Sequence, residues 1–439
     1  MNKYLSTEEL YNLFIECKQK ITTDTRKLET DSIFFALKGE NFDANLFAPN
    51  AIDGGCKYAI VDNDQIYNKK NILLVEDVLK ALQDLSKYHR QELKIPIIGI
   101  TGSNGKTTNK ELIHAVLSKK YNTYATKGNL NNHIGVPLTL LSINEQHEVA
   151  IVEMGANHQG EIAMLCELSD PDFGLITNIG KAHLEGFGGE EGVKKGKSEL
   201  YKYLEKKHGK IFINGDDVVL NELGKNLTKI YYGENSNYDV YGKQYQNSEF
   251  VEFKWNIKQK ELDNQPLIKT NMFGHYNFIN LLCAACIGNY FNVNELDINS
   301  ALESYLPEMN RSQVKKTKTN TIILDAYNAN PSSMFLAIEN FKEKTNENKV
   351  LILGDMFELG EYSYQEHYKI LIQLLNSHFK QVILVGLNFH ELKKDFPQYS
   401  FFSSTNELKD FLVHNLITDS ILLIKGSRGM QLEKIVDSL

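Results

Sequence analysis

Seven consecutive residues, Gly102-Ser103-Asn104-Gly105-Lys106-Thr107-Thr108, are of the types that hold a phosphate chain. They follow an apolar run at 95–101 and precede apolar residues at helical spacing, Leu112, Ile113, Val116 and Leu117. Glycines let the backbone wrap an anion, and N–H groups at a helix start point towards it. The lysine reaches the terminal phosphates, and a threonine hydroxyl is a magnesium ligand. Ile100 stands where the first glycine of the usual nucleotide loop falls, so the spacing is not the common one. A plain strand-to-helix turn is the competing account. The place of the loop between strand and helix favours a nucleoside triphosphate site.

A phosphate-bound magnesium also needs hard anionic oxygens. Glu153 ends the apolar run 149–153 and is expected at the same sheet edge as the loop, where it either ligates the cation or caps the next helix. His183 lies in a glycine-rich stretch after the following strand. Imidazole is an unusual magnesium ligand, so spacing alone leaves this histidine as readily a polar loop residue as a catalytic one. Asp325 sits between a strand and a helix, a usual place for a ligand-facing residue, while Asn328 and Asn330 can equally make a turn before Pro331. Arg311, Lys425 and Arg428 are cations able to meet phosphate or carboxylate, or plain solvated charges.

The elements that position these residues fall into three textures. Residues 1–93 alternate short strands (32–37, 58–61, 72–75) with helical stretches, the last at 77–93. From 94 to 307, apolar strands at 95–101, 149–153, 175–178 and 210–214 alternate with helices, the rhythm of a doubly wound sheet. Mixed short runs at 231–232, 238–241, 250–255 and 267–272 predict a small antiparallel addition, closed by a helix at 277–290. From 308 to 439, strands at 321–325, 350–354, 382–386 and 421–425 alternate with helices at 332–343, 364–377, 405–415 and 429–438. The expected fold class is α/β in three domains.

Composition agrees. At roughly 100–200 residues per domain, 439 residues allow about three. Hydrophobic residues at 42% and charged residues at 24% exclude a largely disordered chain, and a net charge of −8 offers no general nucleic-acid surface. No apolar window is long enough to insert in a membrane, and the opening MNKYLSTEELYNLFIECK lacks the apolar core of a signal peptide. Five scattered cysteines fit reduced thiols in a cytoplasm. Cys283 and Cys286, though spaced like a redox pair, lie in an apolar run and are expected as buried helix thiols.

Taken together, TGSNGKTT, VEMGA, NIGKAHLEGFG, Lys197-Ser198-Glu199 and DAYNANPSSM resemble the Mur ligases, ATP-dependent amide-forming enzymes of bacterial cell-wall synthesis. GNLNNHIGVP, ALKGENFD, GDMFELG and the terminal KGSR point within that family to the members that act on UDP-N-acetylmuramoyl-tripeptide and D-alanyl-D-alanine. The resemblance runs through the whole chain in order. It implies a small N-terminal α/β domain that holds the UDP-sugar, a central P-loop ATPase domain and a C-terminal Rossmann-like domain.

Carried over by motif, Gly102, Ser103, Asn104, Gly105, Lys106, Thr107 and Thr108 hold ATP phosphates. Thr107 and Glu153 hold a first Mg²⁺, and His183 helps hold a second. Lys197 matches the family's carbamylated lysine, a cation converted into the anionic oxygen ligand that magnesium prefers. Asn280 matches an adenine-side asparagine, and Arg311 and Asp325 match nucleotide contacts. Thr25, Arg26 and Lys38 match positions that hold UDP, and Asn131 and Asn132 the muramoyl-peptide side. Lys106, Lys197 and His183 are thus the expected catalytic set. The implied protein is a cytoplasmic monomer whose third domain closes over ATP.

One departure stands out. Where the family usually has Gly-x-His-Asn, this chain has Gly274-His275-Tyr276-Asn277, with a tyrosine at the histidine position. Its ring can stack on adenine and donate a hydrogen bond. No catalytic role is carried onto His275 or Tyr276. Among rivals, the ligase that adds the third residue usually carries Asp-Asn-Pro-Arg, whereas here Ser332 follows Asn330-Pro331. Folate polyglutamation shares the ATP core but not the first segment. A silent nucleotide-binding scaffold is disfavoured by the joint presence of Lys106, Thr107, Glu153, His183 and Lys197.

Overall fold

The structure is a computed structural model that describes residues 3–439 apart from 69, 246–249, 275, 309, 344–347 and 376. His275 therefore lies outside the described residues. Among the described residues three large sheets follow one another along the chain, and a two-stranded one, Lys38–Gly39 with Phe42–Asp43, stands beside the first.

The first sheet has four parallel strands in the order Ile21–Thr22, Ile33–Phe35, Tyr58–Val61, Ile72–Leu74. Its long helix, Val78–Glu92, starts where the Asp77 carboxylate accepts from the Lys80 N–H and buries Val78, Leu82, Leu85 and His89 at helical spacing. That face packs on Gly135–Leu141 of the next segment.

The second sheet has nine strands. Six are parallel neighbours or next to one: Thr123–Ala125, Val149–Glu153, Ile97–Thr101, Phe173–Ile176, Lys210–Asn214 and Thr228–Gly233. Val240–Tyr245 still pairs parallel, and the antiparallel part is confined to its pairing with Phe250–Ile257 and that strand's with Ile268–Phe273. The run at 231–232 thus belongs to the parallel sheet, not to an antiparallel addition. Its mixed texture has a simple cause: Ile230 and Tyr232 are buried towards the helix Asn277–Tyr290, while Tyr231 is only half-buried and stacks on Tyr238. Cys283 and Cys286 lie on that helix, buried like the other free thiols.

The third sheet runs Gln313–Lys316, Asn320–Asp325, Ser420–Lys425, Lys349–Gly354, Gln381–Val385, Ser400–Phe402, parallel except for its first edge strand. The helix expected at 429–438 is instead two 3₁₀ segments, Arg428–Met430 and Leu432–Ser438, interrupted at Gln431, whose φ is 52°. Among the described residues no helix is long and apolar enough to cross a membrane. The carboxyl ends of Ile97–Thr101 and Val149–Glu153 and that of Asn320–Asp325 open onto one cleft.

Candidate active site

The loop after Ile97–Thr101 is shaped by two left-handed glycines. Gly102 has φ 141° and Gly105 φ 77°, and a Cβ at Gly102 would sit 2.0 Å from the Thr177 hydroxyl, so the turn admits glycine only. Gly105 leads directly into the helix Lys106–Leu117, leaving the first N–H groups of that helix free for an anion. Lys106 curls back over the loop, its Nζ donating to the Gly102 carbonyl at 2.7 Å. Burial lowers its pKa against the pull of Glu153, with Arg311 adding to the lowering. A triphosphate would replace a carbonyl partner with charged oxygens.

Glu153 is buried with Thr107 at the floor of this cleft. Its Oε1 accepts from the Asn131 amide at 2.8 Å. Its Oε2 accepts no hydrogen bond and lies 4.0 Å from Lys110 Nζ, which is itself spent on the Thr126 carbonyl at 2.8 Å. A buried carboxylate oxygen without a donor is a place where a cation fits. Among the described residues no three of His, Cys, Asp and Glu converge into a metal cage. A cation here would therefore be shared between Thr107, Glu153 and the phosphates of a nucleotide, as magnesium commonly is.

Lys197 lies below the cleft, fully buried on the helix Glu190–Lys207. Its Nζ donates to the Ala156 carbonyl at 3.2 Å and lies 4.9 Å from the centre of the Phe187 ring. Burial, with Lys106 nearby, holds its pKa well below the ordinary lysine value. Two residues on, Glu199 accepts from the Gly160 and Ala163 N–H groups at 2.7 and 2.9 Å, securing the start of the helix Glu161–Ser169. His183, at φ 54°, lines the cleft with Nδ1 against the carboxylate of Glu358, a residue of the third segment.

The wall contributed by the third sheet is tied to the loop directly. Asn330 caps the helix Pro331–Lys342 through its Oδ1 and gives its amide to Asn104 Oδ1 at 2.7 Å. The Lys181 N–H donates to Ser332 Oγ at 2.9 Å, and Lys181 Nζ to Glu366 at 3.0 Å. Asp325 receives Lys425 Nζ at 2.6 Å and the Ser312 N–H at 3.2 Å. Arg311 lies flat on Tyr327 at 3.5 Å, with its buried Nε unpartnered. Tyr276 shares a hydrogen bond with Ser312 at 2.7 Å, so it joins the central segment to the third one. Asn280 accepts from Asn109 at 2.7 Å and faces the same space.

Ser103, Asn104, Gly105, Lys106, Thr107, Thr108, Asn131, Asn132, Glu153, His183, Asn280, Arg311 and Asp325 thus line one cavity of about 770 Å³. Gly102 and Lys197 do not line it but are hydrogen-bonded to residues that do, Lys106 and Ala156. Asn132 spends its Oδ1 on the Gly135 N–H at 2.8 Å, starting the helix Gly135–Leu141. Thr25, Arg26 and Lys38 stay outside the cleft, in the first segment: Thr25 and Arg26 lie in the turn after Ile21–Thr22, where Arg26 is paired to Asp24 at 2.9 Å, and Lys38 lies on the small strand Lys38–Gly39, paired to Asp62 at 2.8 Å. Sequence reasoning missed Lys110, Tyr327 and Glu358. Lys110 was within reach of it, one helical turn beyond Lys106 on the same face.

Comparison with known proteins yields consistent matches. The Mur ligase middle domain matches residues 100–288, and the Mur ligase, glutamate ligase domain matches 310–428. The UDP-N-acetylmuramoyl-tripeptide–D-alanyl-D-alanine ligase of Bacillus subtilis (strain 168) is 36% identical over 431 residues, covering 95% of this chain and 92% of that protein. A crystal structure of MurF from Acinetobacter baumannii aligns with a TM-score of 0.86 at 31% identity, over 96% of this chain and 93% of that one. MurF ligase from Thermotoga maritima in complex with ADP shares the fold, with a TM-score of 0.82 at 24% identity over 96% and 97% of the two chains.

Proposed function

The chain belongs to the Mur ligase family, and from that premise we propose that it joins D-alanyl-D-alanine to UDP-N-acetylmuramoyl-tripeptide at the expense of ATP. The observation that carries this is the meeting of two features at one edge of the cleft. A glycine loop opens a helix on one side, and the unpartnered Glu153 Oε2 is buried beside it. We divide the chain at the same positions as the sequence does, with 1–93 holding the UDP-sugar, 94–307 holding ATP and 308–439 completing the site. Because one chain supplies every wall of the cleft, a monomer suffices. The pathway's ATP and UDP-linked substrate call for a cytoplasmic setting, consistent with the buried free thiols.

The tripeptide's free carboxylate attacks the γ-phosphorus of ATP, ADP leaves, and an acyl phosphate forms. The dipeptide amine then adds to the acyl carbon and loses a proton, and phosphate departs. Lys106 turns from the loop carbonyls to the phosphates and offsets the charge gathering there. The helix N-terminus at 105–108 holds the phosphate oxygens in line. Thr107 and Glu153 would hold one Mg²⁺, with Asn131 fixing the carboxylate's orientation; a second would lie towards His183 and Lys197. Bound there, magnesium supplies Lewis-acid charge that lets an anion approach a triphosphate. A neutral amine adds to CO₂ and releases a proton to give a carbamate. The depressed pKa of Lys197 supports that modification, as does its burial beside the cleft. Asn280, Arg311 and Asp325 hold the nucleotide at the junction, and docking of the third sheet excludes water from the acyl phosphate.

Phosphate release is the test, measured with ATP, Mg²⁺ and UDP-muramoyl-tripeptide, with and without D-alanyl-D-alanine. We expect release that depends on the D-dipeptide and a pentapeptide product by mass. Release driven by a single amino acid would instead make this the ligase of the preceding step.

A further inference from the structure

The segment 355–360 follows the strand Lys349–Gly354 and reaches across to the central segment. Several independent bonds fix it. Buried Asp355 accepts from the N–H groups of Asn388 and Phe389 at 2.9 and 3.0 Å. The Met356 N–H donates to His367 Nε2 at 3.0 Å, and the Phe357 N–H to Ser427 Oγ at 2.9 Å. Met356 and Leu359 are buried. Between these anchors Glu358 is turned outward at φ 60°, a conformation that disfavours a long side chain and persists only where its surroundings impose it. Its carboxylate lies against His183 Nδ1, a buried nitrogen with no aligned hydrogen bond of its own, and its carbonyl accepts from the Glu185 N–H at 3.3 Å. The histidine is left-handed as well.

We propose that Glu358 is the positioning residue for His183. With its negative charge beside Nδ1, the carboxylate favours the tautomer that carries the proton there, which leaves Nε2 as the unprotonated nitrogen for a ligand in the cleft. Carboxylate pairing of this kind fixes the tautomer and ring orientation of metal-binding histidines. Here the carboxylate comes from a different sheet than the histidine, so His183 is set for its ligand only when the third sheet is docked. Access of the metal and exclusion of water then become one event. The inference rests on the metal role given to His183 above.

The test measures binding of Mn²⁺ to the full chain with a non-hydrolysable ATP analogue, by electron paramagnetic resonance, alongside Mg²⁺ activation of turnover. Glu358→Ala is expected to weaken Mn²⁺ binding about 10–100-fold. Glu358→Gln keeps an acceptor without the charge and should fall between. Glu361→Gln, on an exposed neighbour, should bind as the parent does. The KM for UDP-muramoyl-tripeptide should stay unchanged in all three, which mere loosening of the domains would not produce. Parent-like Mn²⁺ binding in Glu358→Ala, while His183→Ala binds weakly, overturns the proposal and leaves the site intact. Parent-like binding in both overturns it together with the metal role of His183. Absence of dipeptide-dependent turnover in the parent protein is a separate failure, of the ligase assignment.

Discussion

The residues assigned to ATP and those assigned to UDP are built on opposite principles. Lys106, Thr107, Glu153 and Lys197 are packed beneath or within a cleft, with the pKa values of the two lysines lowered by burial and Lys106 and Glu153 hydrogen-bonded at 2.7 and 2.8 Å. Arg26 and Lys38 stand in water in the first segment, with side chains 87% and 52% exposed and one ion-pair partner each. Charge development in a transition state is stabilised best by groups already oriented and shielded from solvent. Holding a substrate's remote end asks only for affinity, which exposed charges supply cheaply and adaptably. Losses of rate should therefore come from the first set and losses of affinity from the second.

The strongest attempt to break that contrast is Lys106→Ala. Turnover should fall about 10²–10³-fold with little change in the KM for the UDP substrate, and a KM effect without a kcat effect would reverse the division. Lys197→Ala comes next, with an expected loss of about 10–100-fold that short carboxylic acids partly restore, because they return the missing oxygens. Full activity in that variant removes the carbamate. On the other side of the contrast, Arg26→Ala and Lys38→Ala should each raise the KM for UDP-muramoyl-tripeptide by about a factor of 2–5 at unchanged kcat, an effect weakened by salt. The mildest prediction concerns stability. Burial lowers the pKa of His89, His114, His147 and His367. Below about pH 6.5 the unfolded chain binds protons that the folded one refuses, so stability declines as pH falls through that value and recovers above it. A melting temperature equal at about pH 7.5 and about pH 5.5 would contradict this.

Much of this was legible in the sequence. The glycine loop at 102–105, the strand ends at Glu153 and Asp325 and most parallel strands announce themselves because each is local: an apolar run, then glycine or a polar residue, then helical spacing. Pairings between distant segments were not legible. Glu358 against His183, Tyr276 on Ser312 and Asn330 on Asn104 join residues that only the docking of two sheets brings together. The edge strands Gln313–Lys316 and Ser400–Phe402 were likewise missed, because such short pieces carry too little periodicity. The Thr228–Gly233 strand was misassigned since only one of its faces is covered.

The third sheet has its last strand in its middle. Ser420–Lys425 lies between Asn320–Asp325 and Lys349–Gly354, and its Lys425 pairs with Asp325. A chain emerging from the ribosome holds two unjoined half-sheets until residues 420–425 are free. The third sheet's wall of the cleft then forms in one late step. Nonsense or frameshift products ending before 420 would lose the centre of a sheet rather than its margin, and quality-control proteases should clear them sooner than a truncation of equal length at the other end of the molecule.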